Sequence, residues 1–212
     1  MLLKRIVSLA AALLFTVAAA GAATPPVLVR GTVSAFTATA ITVKTATGSV
    51  VVATTAKTPF VGADPGMYSD VAPGAFIGAS NVPGPGASRA LEVTVFDEKL
   101  RGTGEGDYPW DAAPGHRSTM TNGTVAAPKS TMMTNGTLGK VASGDIKTIT
   151  VGYKGGVRKM TVSKSTPIVR LSPGSAKLLA PDASVFVVAA KTATGLAAQF
   201  VVVGKNGTKV PI

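Results

Sequence analysis

Thr58-Pro59-Phe60-Val61-Gly62-Ala63-Asp64-Pro65-Gly66 and Thr166-Pro167-Ile168-Val169-Arg170-Leu171-Ser172-Pro173-Gly174 are one segment written twice, 108 residues apart. The Thr-Pro, the following valine and the Pro-Gly coincide. The same offset carries Ile41-Thr42-Val43 onto Ile149-Thr150-Val151, Gly48 onto Gly156, and Ala72-Pro73 onto Ala180-Pro181. It also carries Ala75 onto Ala183, and Ala90, Val93 and Val95 onto Ala198, Val201 and Val203. Punctuating residues repeated at one constant offset mark a tandem duplication. With a small gap, Gly31-Thr32-Val33 also matches Gly136-Thr137-Leu138, so the repeats are expected over 24–97 and 134–212.

Each copy reads as short strands. Val and Thr dominate, both stiff at χ1 and favoured on a pleated surface, and Gly or Pro interrupts them every ten residues or so. In the first copy the strands are expected over 27–34, 40–44, 49–53, 60–61, 75–80 and 89–95, with prolines between strands or at their starts. No helical repeat is sustained after residue 24, apart from a single turn near 175–179. About 65 residues in five or six strands cannot bury both faces of an open sheet, and curling into a barrel removes the exposed edges. The expectation is an all-β protein of two tandem small antiparallel β-barrels of OB-like size, joined by a Gly/Pro-rich connector over 98–133. Aromatic residues make up 5% of the chain, which suits thin barrels better than a deep aromatic-lined cleft.

The N-terminus is expected to direct export. Lys4 and Arg5 precede an apolar run from Ile6 to Ala20, and Ala20-Gly21-Ala22 supplies the small residues of a cleavage site. Residues 1–23 therefore read as a signal peptide cut near Ala22 or Ala23, placing the mature chain in the periplasm or outside the cell. The competing reading is a retained anchor, but the run is alanine-rich, and a spanning helix wants about 20 strongly apolar residues. Every later valine run is broken by Gly, Pro or charge, so no other segment reads as spanning. The chain has no cysteine, hence no disulfide and no thiolate chemistry.

The connector holds the single Trp and the single His of the chain. It also holds a shorter echo: Ser118-Thr119-Met120-Thr121-Asn122-Gly123-Thr124-Val125 recurs as Ser130-Thr131-Met132-Met133-Thr134-Asn135-Gly136-Thr137-Leu138. Asn-Gly reads as a turn feeding a strand. The order G-x-V, I-T-V, T-P, a Pro-Gly or Pro-Asp turn and a final A-x-x-V resembles an exported bacterial domain family of unknown function, often in tandem. The connector R-G-x-G-x-G, Y-P-W-D and S-T-M-T-N-G-T-V resembles a proteobacterial subgroup of it, often labelled metal transporter permease. The resemblance implies small β-barrels and brings no catalytic residues. The permease label conflicts with the lack of spanning segments in the mature chain.

Candidate chemistry is sparse. His116, Met120, Met132 and Met133 form a soft donor set suited to Cu(I), the alternative being methionines that fill a Val/Ala core. Glu105, Asp107 and Asp111 match no standard calcium loop. Gly102-x-Gly104-x-Gly106 neither follows a parallel strand nor opens a helix, as a phosphate-cradling loop would. One histidine is a poor start for a triad. A non-enzymatic module without cofactor is therefore expected.

Charge is the sharper feature. Residues 24–111 carry 6 basic and 8 acidic side chains, whereas residues 112–212 carry 13 and 2. Lys154, Arg158, Lys159, Lys164 and Arg170 cluster in sequence and are the expected anion-binding residues, toward an anionic envelope polymer or lipid. Nucleic acid is disfavoured, since Tyr153 is the one aromatic near the cluster. The plainer account is that the charges keep an exported domain soluble.

Overall fold

The computed structural model describes residues 25–110, 118–127 and 145–210; the expected signal peptide lies outside them. The strands are β1 (Val27–Phe36), β2 (Ala40–Thr45), β3 (Gly48–Ala53), β4 (Phe60–Pro65), β5 (Phe76–Val82), β6 (Ser88–Phe96) and β7 (Gly106–Trp110). They continue with β8 (Ser118–Val125), β9 (Ile146–Tyr153), β10 (Gly156–Ser163), β11 (Ile168–Pro173), β12 (Ser184–Thr192) and β13 (Gly195–Gly204). Three single 3₁₀ turns accompany them, one at Ala176–Leu178, where the sequence predicts a turn.

Backbone pairing closes two circuits of five strands. The first barrel runs β1–β2–β3–β13–β12 and back to β1. The second runs β8–β9–β10–β6–β5 and back to β8. The fold is therefore all-β with small barrels, as expected, but each closes through one parallel pair, β3 with β13 and β10 with β6, and is not antiparallel throughout.

The barrels do not follow the expected boundaries. Each takes three strands from one half of the chain and two from the other, so the repeats exchange their last two strands. β4 and β11 make the crossing. They pair antiparallel with Ala63 opposite Leu171, Val61 opposite Pro173 and Pro65 opposite Val169. Each member of the central pair is the other's repeat equivalent, so the pair marks a pseudo-twofold axis. β4 then lies parallel to β13 and β11 parallel to β6, again in equivalent register: Val201 on Phe60, Val93 on Ile168. The matched prolines begin these crossings, and their carbonyls accept equivalent bonds, Val201 N to Pro59 O at 3.0 Å and Val93 N to Pro167 O at 2.9 Å.

Alternation fills both interiors. Val33, Ile41, Val43, Val52, Val187 and Val201 meet inside the first barrel. Ile77, Val93, Ile149, Val151, Met160 and Val162 meet inside the second. A third cluster, Val61, Ala63, Leu171, Phe186 and Val202, joins the barrels on their outer faces. Strands buried on both faces read as unbroken apolar runs, which is why Val185-Phe186-Val187-Val188 and Phe200-Val201-Val202-Val203 show no alternation.

Two expectations need correction. The partner of Gly31-Thr32-Val33 is Gly123-Thr124-Val125, in the earlier copy of the echo, and not Gly136-Thr137-Leu138. Thr32 and Val33 lie opposite Lys44 and Val43, and Thr124 and Val125 lie opposite Gly152 and Val151. The matched glycines sit where a carbonyl of the neighbouring strand passes close. A Cβ on Gly31 would stand 2.0 Å from Lys44 O, and one on Gly123 would stand 2.2 Å from Gly152 O. Both repeats need that bare approach and both echoes carry the glycine, but it is Thr124 and Val125 that pair with β9, so the gapped sequence match falls on the wrong echo; 134–144 lie outside the described residues. The connector 98–133 likewise supplies two strands, because β8 is the opening strand of the second barrel and β7 pairs beside it from Gly106 opposite Asn122 to Trp110 opposite Ser118.

Candidate ligand groove

Among the described residues β7 has no counterpart beside the first barrel, and its anchorage begins with the three glycines before it. Gly102, Gly104 and Gly106 have φ of 87°, 59° and 147°, a run of positive values that glycine adopts at no steric cost. The G-x-G-x-G motif is thus a tight backbone entry to a strand.

Asp107 then fastens β7 to the second barrel. Its carboxylate accepts from Arg158 Nε at 2.7 Å, from Arg158 Nη2, and from Thr121 Oγ1 at 2.6 Å. Asn81 Nδ2 donates to Thr121 Oγ1 at 3.0 Å, and Arg158 Nη1 reaches Ser88 Oγ at 3.4 Å. Burial pushes the Asp107 carboxyl up, but the hydrogen bonds from Arg158 and Thr121 and the guanidinium charge hold it below the usual carboxylate range. The bond to Asp107 raises Arg158 against the opposing effect of burial. A forked guanidinium–carboxylate pair sets orientation as well as energy, so β7 has one register.

That register aims Tyr108 and Trp110 away from Asp107, into a groove of about 390 Å³ between the barrels. Phe186, Val188, Phe200 and Val202 form its first-barrel wall, and Leu171 and Phe96 lie where the barrels meet. Gly78, Thr94, Met120 and Asn122 form the second-barrel wall. Trp110 packs on Phe186 with ring centroids 5.9 Å apart and on Tyr108 at 6.2 Å. Five of the chain's eleven aromatic side chains line this one hollow. Composition points away from an aromatic-lined cleft; the fold concentrates a few rings instead. The signal available in the sequence is Phe186 and Phe200 inside valine runs, together with the lone Trp of the connector.

The groove wall also buries an acceptor with no partner among the described residues. Asn122 is 6% exposed, and its Oδ1 receives no hydrogen bond within the described residues. Its Nδ2 donates to Gly104 O at 3.0 Å, with Thr103 O at 3.4 Å and the Tyr108 hydroxyl at 3.3 Å.

The five expected anion-binding residues do not form one patch. Arg158 is bound to Asp107. Lys164 pairs with Asp145 at 3.0 Å. Arg170 lines a separate cleft of about 300 Å³ together with Asp64 and Asp97. Lys154 and Lys164 stand in the turns at opposite ends of β10, roughly 30 Å apart at about 3.3 Å per residue, well beyond the screening length of about 8–10 Å. Lys154 and Lys159 are exposed. Part of the charge asymmetry is spent between the repeats: Arg158 meets Asp107, and Lys205 meets Asp64 at 2.6 Å. Of the soft-metal set, Met120 lines the groove, whereas His116, Met132 and Met133 lie outside the described residues. No helix among the described residues is long and apolar enough to cross a membrane. Comparison of the chain with family models, with curated proteins and with solved structures finds no match.

Proposed function

We propose that this protein is a non-enzymatic, exported binding module of the cell envelope that takes an apolar, lipid-like ligand into the groove between its barrels. The export part rests on the basic, apolar and small-residue order of 1–23. The observation that carries the ligand is the convergence of Tyr108, Trp110, Phe186 and Phe200 on one hollow whose volume falls within the roughly 300–1,000 Å³ typical of small-molecule sites. Apolar surface of this kind gains free energy when a ligand replaces water, by about 25 cal/mol per Å² covered. Attraction to an anionic headgroup or polymer then falls to exposed Lys154 and Lys159, acting through net charge and not through a built anion site.

Trp110 is the one tryptophan of the chain and reports directly on the groove. Titration with 1-decanol is expected to give a saturable shift in Trp110 emission. Phe200→Asp, which puts a carboxylate on the groove wall, is expected to abolish it. A shift that grows linearly without saturation, or one unchanged in Phe200→Asp, would remove the groove as the binding site.

A further inference from the structure

We propose that Asn206-Gly207 is a site of spontaneous deamidation, and that the repeat plan accommodates the acid it yields. The tripeptide Asn-Gly-Thr stands at 122–124, 135–137 and 206–208, the middle copy outside the described residues. Deamidation needs an unengaged glycine N–H and an asparagine side chain free to turn back onto it. The glycine nitrogen attacks Asn Cγ, its proton departs with the amide nitrogen as ammonia, and a succinimide ring closes. Water then opens the ring at either carbonyl, giving aspartate or isoaspartate. The fold separates the two described copies. Asn122 is 6% exposed and its Nδ2 donates to Gly104 O at 3.0 Å, while Gly123 sits in the β5–β8 ladder opposite Ile77. Asn206 and Gly207 are both exposed. They are the central residues of a turn closed by Thr208 N to Lys205 O at 2.9 Å, with φ of 51° and 76°, values that suit Asn-Gly. The Gly207 N–H makes no backbone bond among the described residues. Opening this surface turn breaks one bond, whereas freeing Asn122 means peeling β8 from its neighbours.

The other repeat shows what an acid does at this turn. Lys205 N donates to Ala63 O at 2.9 Å, as Asp97 N donates to Leu171 O at 2.8 Å. Thr208 N donates to Lys205 O at 2.9 Å, as Leu100 N donates to Asp97 O at 2.8 Å. At the offset of 108, Asn206 is therefore the counterpart of Glu98, and Lys209 of Arg101. Glu98 and Arg101 form an ion pair. Conversion of Asn206 to aspartate sets a carboxylate three residues before exposed Lys209, the same order of charge. Isoaspartate instead adds a methylene to the backbone and opens the turn. The turn leads into Val210, which packs on the cluster that joins the barrels, so the modification falls beside the contact between them.

The test incubates the purified protein at mildly alkaline pH in heavy-oxygen water, since ring opening installs one solvent oxygen. Peptides cut under acid by pepsin are then read by mass spectrometry. The peptide holding Asn206 is expected to gain label at least about tenfold faster than the one holding Asn122, because a surface turn opens more readily than a core strand. In urea the identical tripeptides lose their surroundings, and the two rates are expected to converge. Equal rates in the folded protein, or a difference that persists undiminished in urea, would overturn the inference. Asn206→Asp carries the acid from the outset and is expected to leave the urea midpoint unshifted. A lowered midpoint would overturn the accommodation of the acid at this turn.

Discussion

The two barrels share one backbone plan and differ at one end of their interiors. Where the first places Val29, Val50, Ala189 and Leu196, the second places Thr121, Arg158, Asn81 and Ser88, position for position in the pairing registers. The first barrel closes on itself with apolar side chains. The second ends in a polar network that has a purpose outside the barrel, because Asp107 of β7 completes it. Their outer faces diverge in the complementary sense: Phe186, Val188, Phe200 and Val202 on the first answer Gly78, Ser80, Glu92 and Thr94 on the second. Duplication supplied two equal frames. Divergence made one an apolar wall and the other a mount for a strap, and the space between them is the groove. Local departures from a well-packed interior concentrate where a site is built.

The widest effects should be those that treat the barrels alike. Ile41 is fully buried in the first barrel and Ile149 is 8% exposed in the second, at equivalent positions. Ile41→Ala and Ile149→Ala are each expected to cost about 2–4 kcal/mol. Since each half of the chain feeds both barrels, either substitution should shift a single unfolding transition. Urea titration followed by circular dichroism and by Trp110 emission checks this, and two separated transitions would break the equivalence.

Arg158 tests the difference between the barrels. Arg158→Ala leaves the Asp107 carboxylate, 17% exposed, without its cation. The cost is expected to be about 2 kcal/mol, between an exposed and a buried pair, and the groove should lose affinity as β7 loosens. Lys159→Ala, one residue away on the opposite face of β10, is expected to stay within about 0.5 kcal/mol. Acid adds a signed control. The folded Asp107 titrates below its unfolded value of about 3.9, so its stabilisation is present above that pH and is lost as pH falls through the lower folded value. Asp107→Asn should flatten that acid limb, and an unchanged limb would detach Asp107 from the stability of the second barrel.

Much of the architecture is legible in the amino-acid sequence. The offset of 108 locates the strands, and Val and Thr alternation identifies their inward faces. The exchange is not legible, because Val185 and Ile77 are equivalent inward residues and either could complete the first barrel. Alternation says which way a side chain points and is silent on which copy it joins. The first strand of the second barrel is ambiguous because two echoes of one motif compete, both with the required glycine, and only the pairing of β8 with β5 and β9 decides between them. The basic cluster is a cluster along the chain alone, whereas Asp107 neutralises Arg158 from 51 residues away. The groove is hidden in the sequence because its rings come from β6, β7, β12 and β13, brought together only by the crossing of β4 and β11.

Strand exchange is the central claim, and the absence of cysteine makes it open to a direct test. Leu28 lies opposite Val188 in the β1–β12 pair, and Ser80 is the residue that would take the place of Val188 if each repeat closed its own barrel. Antiparallel register partners have Cα atoms about 4.5–5.5 Å apart, within disulfide reach. Under mild oxidation, the double variant Leu28→Cys with Val188→Cys is expected to form an intrachain disulfide, seen as a two-dalton mass loss and a mobility shift. Leu28→Cys with Ser80→Cys is expected to stay reduced. Bonding in the second variant and not in the first would show two self-contained tandem barrels and contradict the exchange.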